Sequence, residues 1–145
     1  MPTADSTSAS AIKAFLALDA EAARLLSTLA NYAAIKNNAA ACLDASPFPT
    51  LRTRLVGKLI SHAEEASAQL RLVAADLKNI AKRAQDDADK TLELVLVKTA
   101  FAINQETARK LQLLETLPSL GEVDDDAFFA SLAQAWPSDK ALFSR

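Results

Sequence analysis

The sequence predicts an all-α protein, with three long antiparallel helices in a bundle of coiled-coil character and a short C-terminal helix. The chain of 145 residues has two glycines, and none of its five prolines falls between residues 50 and 117. Along most of this length apolar residues recur at spacings of three and four, the repeat of an amphipathic helix. The length fits one domain. We expect a flexible N-terminus over 1–9, the bundle over 10–120, and an acidic loop with a short helix over 121–145.

The first predicted helix begins near Ser8 or Ser10, because a serine side chain can accept a hydrogen bond from the free N–H groups of a first helical turn. It ends before Pro47, since proline cannot continue a helix. Its apolar seam has heptad spacing and consists of Phe15, Leu18, Ala22, Leu25, Leu29 and Tyr32, with Ile12, Leu16 and Leu26 widening it.

The second predicted helix begins near Thr50 and runs to the polar segment QDDADK at 85–90. Asp86, Asp87 and Asp89 are favourable N-caps, so we expect a tight turn here. Because no glycine or proline enforces that turn, the alternative is one continuous rod of helices two and three. The seam of the second helix consists of Leu55, Leu59, Ala66, Leu70, Val73, Leu77, Ile80 and Ala84.

The third predicted helix runs from about Thr91 to Leu117, and its first half, LELVLVKTAFAI, is apolar on nearly every side. A helix that is apolar all round contacts more than one neighbour or lies in an oligomer interface. We therefore expect a self-association face in this helix, formed by Leu94, Val95, Val97 and Phe101.

Aromatic residues are concentrated near the C-terminus, in the segment DDDAFFASLAQAW. Asp124 or Asp125 can cap a short helix there, and Pro137 stops it. This helix either packs on its own bundle or binds in a groove of another protein, where aromatic anchors carry much of the binding energy. Burying an aromatic side chain stabilises by about 2 kcal/mol, which favours packing on the bundle. The candidate protein-binding residues are Phe128, Phe129, Leu132 and Trp136.

Charge and cysteine content restrict the partners and the compartment. A formal net charge of -2, with acidic residues among the basic ones, argues against a nucleic-acid partner. The single cysteine, Cys42, has no partner in the chain for a disulfide and indicates a reducing compartment. Neither a charged leader nor a run of 18 apolar residues occurs. We expect a cytoplasmic protein.

His62, the only histidine, raises the question of phosphotransfer. The sequence around it resembles the phosphoacceptor box of histidine kinases, because Ser61-His62 follows an isoleucine. Glu65, however, stands where a histidine phosphotransfer domain has a basic residue, and Ala66 replaces its glycine. Nearby carboxylates would also oppose a phosphate group. We interpret His62 as a half-buried or pairing residue and keep a phosphoacceptor role as the least favoured alternative.

The sequence carries no catalytic or phosphate-binding motif. No G-x-x-x-x-G-K-[ST], G-x-G-x-x-G or G-x-S-x-G pattern occurs. A metal site needs several converging His, Cys or carboxylate ligands, and the acidic clusters are better explained as helix N-termini. We expect no enzyme activity, cofactor, metal or small-molecule substrate.

The leading hypothesis is a structural or adaptor module that binds another protein, or forms a homo-oligomer, through apolar helix faces. The alternative is a peripheral protein that coats a lipid or granule surface. The alanine- and leucine-rich amphipathic helices resemble in composition the phasins, which coat polyester granules. They lack the strongly basic face and paired Trp and Phe of membrane-lying helices, so a lipid surface is not favoured.

Overall fold

The computed structural model describes residues 3–43, 49–116 and 125–138. Four helices follow in chain order: α1 (Ala4–Leu43), α2 (Pro49–Thr91), α3 (Leu94–Glu115) and α4 (Asp125–Ala135). No strand occurs within these ranges, and the contacts between helices form a bundle, so the all-α prediction is confirmed. With 22 residues, α3 is about half as long as α2, which has 43.

Contacts between side chains fix the directions of α1 and α2. The rings of Tyr32 and His62 stack with their centroids 5.9 Å apart. Towards the other end of the same helix pair, Ser10 and Ala84 line one cleft. Since residue numbers rise along α1 as they fall along α2, the two helices are antiparallel.

Two hydrogen-bonded pairs join α1 to α3 with the same sequence separation. Ser8 pairs with Thr99, and Asp19 pairs with Lys110, each across 91 residues. This constant offset makes α1 and α3 parallel. Asn104 on α3 donates to the carbonyl oxygen of Ala81 on α2 at 3.2 Å, so α2 and α3 form an antiparallel hairpin.

The core lies between the inward faces of all four helices. Most of the predicted seams of α1 and α2 are buried in it, whereas Leu16 and Leu55, which the periodicity also assigned to the apolar faces, are partly exposed. The largest fully buried apolar side chains are Trp136, Phe15, Phe129, Leu26, Leu29, Leu70, Leu77 and Ile103.

The start of α1 differs from the prediction, because the helix begins at Ala4 and includes the residues expected as a flexible segment before Ser10. The Thr3 hydroxyl accepts a hydrogen bond from the Ser6 N–H at 3.1 Å. Ser8 is buried and bonded to Thr99, whose own hydroxyl donates to a carbonyl of α3. The Ser8 side chain therefore links α1 to α3 and does not cap the first turn of α1.

The connection between α2 and α3 also differs from the prediction. Residues 85–90 are helical, so the expected turn at the three aspartates is wrong, but the two helices are not one rod. Ala88 is buried against the core, which keeps the last turns of α2 helical. The chain reverses at Leu92, whose φ is 55° and whose N–H donates to the Ala88 oxygen at 2.8 Å.

The C-terminal helix packs chiefly on α1. It ends at Ala135, two residues before Pro137, as the sequence predicts. The expected cap residue Asp124 lies outside the described residues, as do the side chains of Asp125 and Cys42.

Candidate protein-interaction surface

The α3 helix has polar residues on its inward side. Thr99, Glu106, Thr107 and Lys110 are all buried, together with apolar residues such as Ile103. Charged side chains are seldom fully buried unless they are paired. The inward side of α3 therefore depends on specific partners as well as on apolar packing.

The opposite side of α3 faces solvent and carries exposed apolar residues in its first half. Leu94, Val97 and Phe101 are 68%, 42% and 69% exposed. Their spacings of three and four place them on one stripe, which we call the outward face. Leu92, in the preceding turn, is also exposed, at 76%. Of the four residues predicted for self-association, only Val95 packs partly against the core.

Lys110 is the most buried of the charged residues on α3, with no exposed surface. Its ammonium group pairs with the carboxylate of Asp19 and donates to the Trp136 carbonyl oxygen at 2.7 Å. It also lies 4.5 Å from the centroid of the Trp136 ring and 5.9 Å from that of Phe15. These contacts compensate the charge and attach α3 to α1 and to the end of α4.

Arg109, the neighbouring residue, binds the C-terminal end of α4. Its guanidinium donates to the carbonyl oxygens of Ala135, Trp136 and Pro137 at 2.6, 3.0 and 3.1 Å. It also forms a salt bridge with Glu106 at 2.8 Å. The last carbonyls of a helix have no partner within it, and a cation there is favoured by the helix dipole. Arg109 thus supplies the C-terminal cap of α4.

Glu106 and Lys110, the two buried charged residues of α3, have shifted pKa values. Burial acts to raise the pKa of Glu106, but hydrogen bonds from Arg109 and Ser138 and the charges of Arg109 and Lys110 lower it below its ordinary value. Burial lowers the pKa of Lys110, and the partnership with Asp19 opposes that shift. The Glu106 carboxylate is therefore held in its charged form by its neighbours.

The aromatic stripe of α4 is covered by the protein's own bundle. Phe129, Leu132 and Trp136 are buried, while Phe128 is 45% exposed. The indole N–H of Trp136 donates to the Asp19 carbonyl oxygen at 3.0 Å. The buried stripe starts at Phe129, so three of the four candidate protein-binding residues are in contact with their own chain and only Phe128 is available to a partner.

His62 lies on the surface of α2, away from the charged residues of α3. It is exposed, and its ring stacks on Tyr32 at an interplanar angle of 27°. Within the described residues no group of three or more His, Cys, Asp or Glu side chains could hold a metal ion.

A cleft of about 320 Å³ lies between α1 and α2, near their ends at the α2–α3 turn. It is open to solvent and is lined by small, apolar and charged side chains together. His62 is 18 residues from Ile80 on α2, about 27 Å along the helix, so it does not contribute to the cleft. The lining residues are Ser6, Thr7, Ser10, Ala11, Ala14, Ile80, Arg83, Ala84 and Asp87.

Comparison with known proteins matches this chain to no protein family, no curated protein and no solved structure. Among the described helices, none combines the length and apolarity needed to cross a bilayer.

Sequence reasoning missed Lys110, Asp19 and Leu92. One signal for Lys110 was available, because it follows Ile103 and Glu106 at helical spacing and so belongs to one side of the helix. Asp19 likewise lies between Phe15 and Ala22 on the seam of α1. Leu92 had no such signal, because leucine rarely adopts a left-handed conformation.

Proposed function

We propose that this protein is a non-catalytic helical interaction module, which binds another protein or a second copy of itself through the outward face of α3. The observation that supports this most is the orientation of α3. Lys110 is buried and paired with Asp19, and Arg109 binds the end of α4. Leu94, Val97 and Phe101 lie on the other side of the helix and are exposed. Binding through such a face needs no reactive group.

The exposed apolar stripe can supply binding energy. Scattered apolar residues are normal on protein surfaces, whereas a contiguous exposed patch marks an interaction site. Covering a large apolar side chain contributes about 2 kcal/mol. Phe101 is the largest of the three and is the anchor that we expect to contribute most.

The spacing of the outward face suits a partner helix. Leu94, Val97 and Phe101 follow the alternation of three and four that forms the seam of a coiled coil. We propose that a helix of the partner packs along this stripe with coiled-coil geometry. A cytoplasmic partner, or another copy of the chain, satisfies this proposal.

Affinity capture with a matched set of variants tests the function. The test variant is Leu94→Asp/Phe101→Asp. Its control is Leu72→Asp, because Leu72 on α2 is 67% exposed, almost as much as Phe101, and lies on another helix. Each tagged variant is incubated with cell extract and with an untagged wild-type chain, and its circular dichroism is checked first.

We expect the wild-type protein and Leu72→Asp to retain the same bound protein, whether another protein or the untagged chain. The double variant should lose it. Equal retention by all three proteins would overturn the proposal. Flotation with phospholipid vesicles tests the lipid alternative. Surface coating would be favoured if the wild-type protein floats with the vesicles and the double variant does not, while both capture the same bound protein.

A further inference from the structure

A second exposed apolar face lies at the opposite end of the bundle. Ile35, Leu51 and Leu55 are 48%, 56% and 37% exposed. The Tyr32–His62 stack marks one side of the α1–α2 hairpin. Ile35 follows Tyr32 by three residues, while Leu55 and Leu51 precede His62 by seven and eleven. These are helical repeats, so all three residues lie on the side of that stack. We call them the hairpin face.

The third helix does not extend as far as the hairpin face. The constant offset of 91 residues between α1 and α3 places Glu115, the last residue of α3, level with Arg24. About 14 Å of α1 separates that level from Ala33, which lies two residues before Ile35 of the hairpin face. At this end of the molecule α1 and α2 therefore continue beyond α3, and the apolar side chains of the hairpin face remain exposed.

The two ends carry opposite charge. The end that includes the outward face comprises residues 3–10 and 84–101, which contain five acidic residues and two lysines, a formal charge of -3. Of the residues that the structure describes, 32–43 and 49–62 lie at the end that includes the hairpin face, and these contain four basic residues and no acidic one, a formal charge of +4 with neutral His62. Asp44, between the two ranges in the sequence, lies outside the described residues. We call the two ends the acidic end and the basic end.

We propose that a second copy of this chain occupies the outward face, and that it docks head to tail with its hairpin face. This inference rests on the proposed function and names its partner. Each joint buries two apolar faces that are exposed in the single chain. It also brings an acidic end, with a charge of -3 over its described residues, against a basic end with a charge of +4 over its described residues, which favours and orients the encounter.

The charges select this arrangement over a two-fold dimer. A two-fold axis at the outward face would bring two acidic ends together, and one at the hairpin face would bring two basic ends together. Like charges across an interface are unfavourable. A head-to-tail joint leaves one free face on each terminal copy, so the assembly grows with concentration unless it closes into a ring.

Light scattering on two variants and their mixture tests the geometry. Leu94→Asp/Phe101→Asp removes the outward face, and Ile35→Asp/Leu51→Asp removes the hairpin face. All four positions are exposed, by 48% to 69%, and Leu72→Asp is the control. A second hairpin variant, Arg54→Glu/Lys58→Glu, changes only exposed basic residues and is used if the first loses helicity.

The wild-type protein and Leu72→Asp should exceed the 15.5 kDa mass of one chain, with a mass that rises with protein concentration. Each face variant alone should remain at the single-chain mass. An equimolar mixture of the two should reach twice that mass and go no higher, because only one intact joint can form between them.

Two results would overturn head-to-tail docking. In one, the wild-type protein stays at the single-chain mass at every concentration. In the other, the hairpin variant still dimerises and the outward-face variant does not, which indicates a two-fold contact between outward faces. The first result leaves the proposed function to the capture experiment, in which binding of another protein can still depend on Phe101. The second result agrees with the proposed function and contradicts only the head-to-tail geometry.

Discussion

The ammonium group of Lys110 on α3 pairs with the carboxylate of Asp19 on α1, in the interior of the bundle. This pair sets the rotation of α3. With Lys110 turned inward, the residues on the opposite side of the helix, Leu94, Val97 and Phe101, face solvent. The exposure of the apolar stripe is thus a consequence of the orientation that the buried ion pair fixes.

Removing the buried cation should destabilise the fold strongly. In Lys110→Met the Asp19 carboxylate loses its charged partner, and the Trp136 carbonyl loses a donor. Breaking a buried pair on one side costs about 3 kcal/mol. Urea unfolding measures the loss. The control Lys78→Met, at an exposed position on α2, should change the free energy of unfolding by less than about 0.5 kcal/mol. Equal unfolding midpoints for the two variants would contradict this role.

The lowered pKa of Glu106 predicts a loss of stability in acid. Because the folded state binds the carboxyl proton more weakly than the unfolded state, the stabilisation is present above the ordinary value of 4.5. It is lost as pH falls through the lower pKa of the folded state. Between pH 5 and more acidic pH, the free energy of unfolding should therefore fall less for Glu106→Gln than for the wild-type protein. Thermal unfolding at each pH measures this difference.

The control for the acid experiment is Glu64→Gln, a change at an exposed position on α2. This variant should retain the acid dependence of the wild-type protein. If Glu106→Gln also retains it unchanged, the hydrogen bonds of Glu106 do not contribute to stability in the way described.

Docking of α4 should depend on the inward side of its aromatic stripe. Trp136 has no exposed surface, and Phe128 is half-exposed. Truncating a buried Trp costs about 3–5 kcal/mol, so Trp136→Ala should lose far more stability than Phe128→Ala in urea. Trp136 is the only tryptophan, and its fluorescence in Phe128→Ala should keep the blue-shifted emission of a buried indole. A red-shifted emission in the folded wild-type protein would show that α4 is not docked.

Glycine at position 92 should stabilise the turn between α2 and α3. Leu92 has a φ of 55°, in the left-handed region that costs a residue with a Cβ about 1 kcal/mol. Its side chain is 76% exposed, so little burial is lost. Leu92→Gly should raise the free energy of unfolding by up to about 1 kcal/mol. Leu92→Ala keeps the Cβ and should gain nothing; a similar gain in both variants would point to the lost side chain instead of the backbone.

The seams of α1 and α2 were readable from the sequence. Leu25, Leu29, Leu70 and Leu77 recur at helical spacing, and each is buried in the bundle. The pattern succeeds here because each of these helices buries one side, and the spacing of apolar residues records which side it is.

The turn position could not be read in the same way. The aspartates at 86, 87 and 89 are good caps, and Leu92 is an unfavourable residue for a left-handed turn. The burial of Ala84 and Ala88 against the core overrides those local preferences and extends α2. Such packing depends on residues distant in the sequence, which a local pattern does not contain.

A local sequence pattern could not predict the orientation of α3 either. Its apolar residues indicate that several sides can be buried, so periodicity alone does not say which side faces the core. Asp19, 91 residues away, and the carbonyl of Trp136, 26 residues away, select the side that carries Lys110. The sequence thus located an apolar face in α3, but it did not predict the charged cluster that turns most of this face outward.

Photo-crosslinking from the outward face tests the central claim most directly. Phe101 is replaced by photoreactive benzoylphenylalanine, and Leu72, of nearly equal exposure, is replaced in a control protein. Both proteins are irradiated in the cells that produce them, and the adducts are compared by electrophoresis and mass spectrometry. We predict a discrete adduct from position 101, with a second copy or with another protein, and none from position 72. Equal, diffuse labelling from the two positions would contradict the claim that the outward face of α3 is an interaction surface.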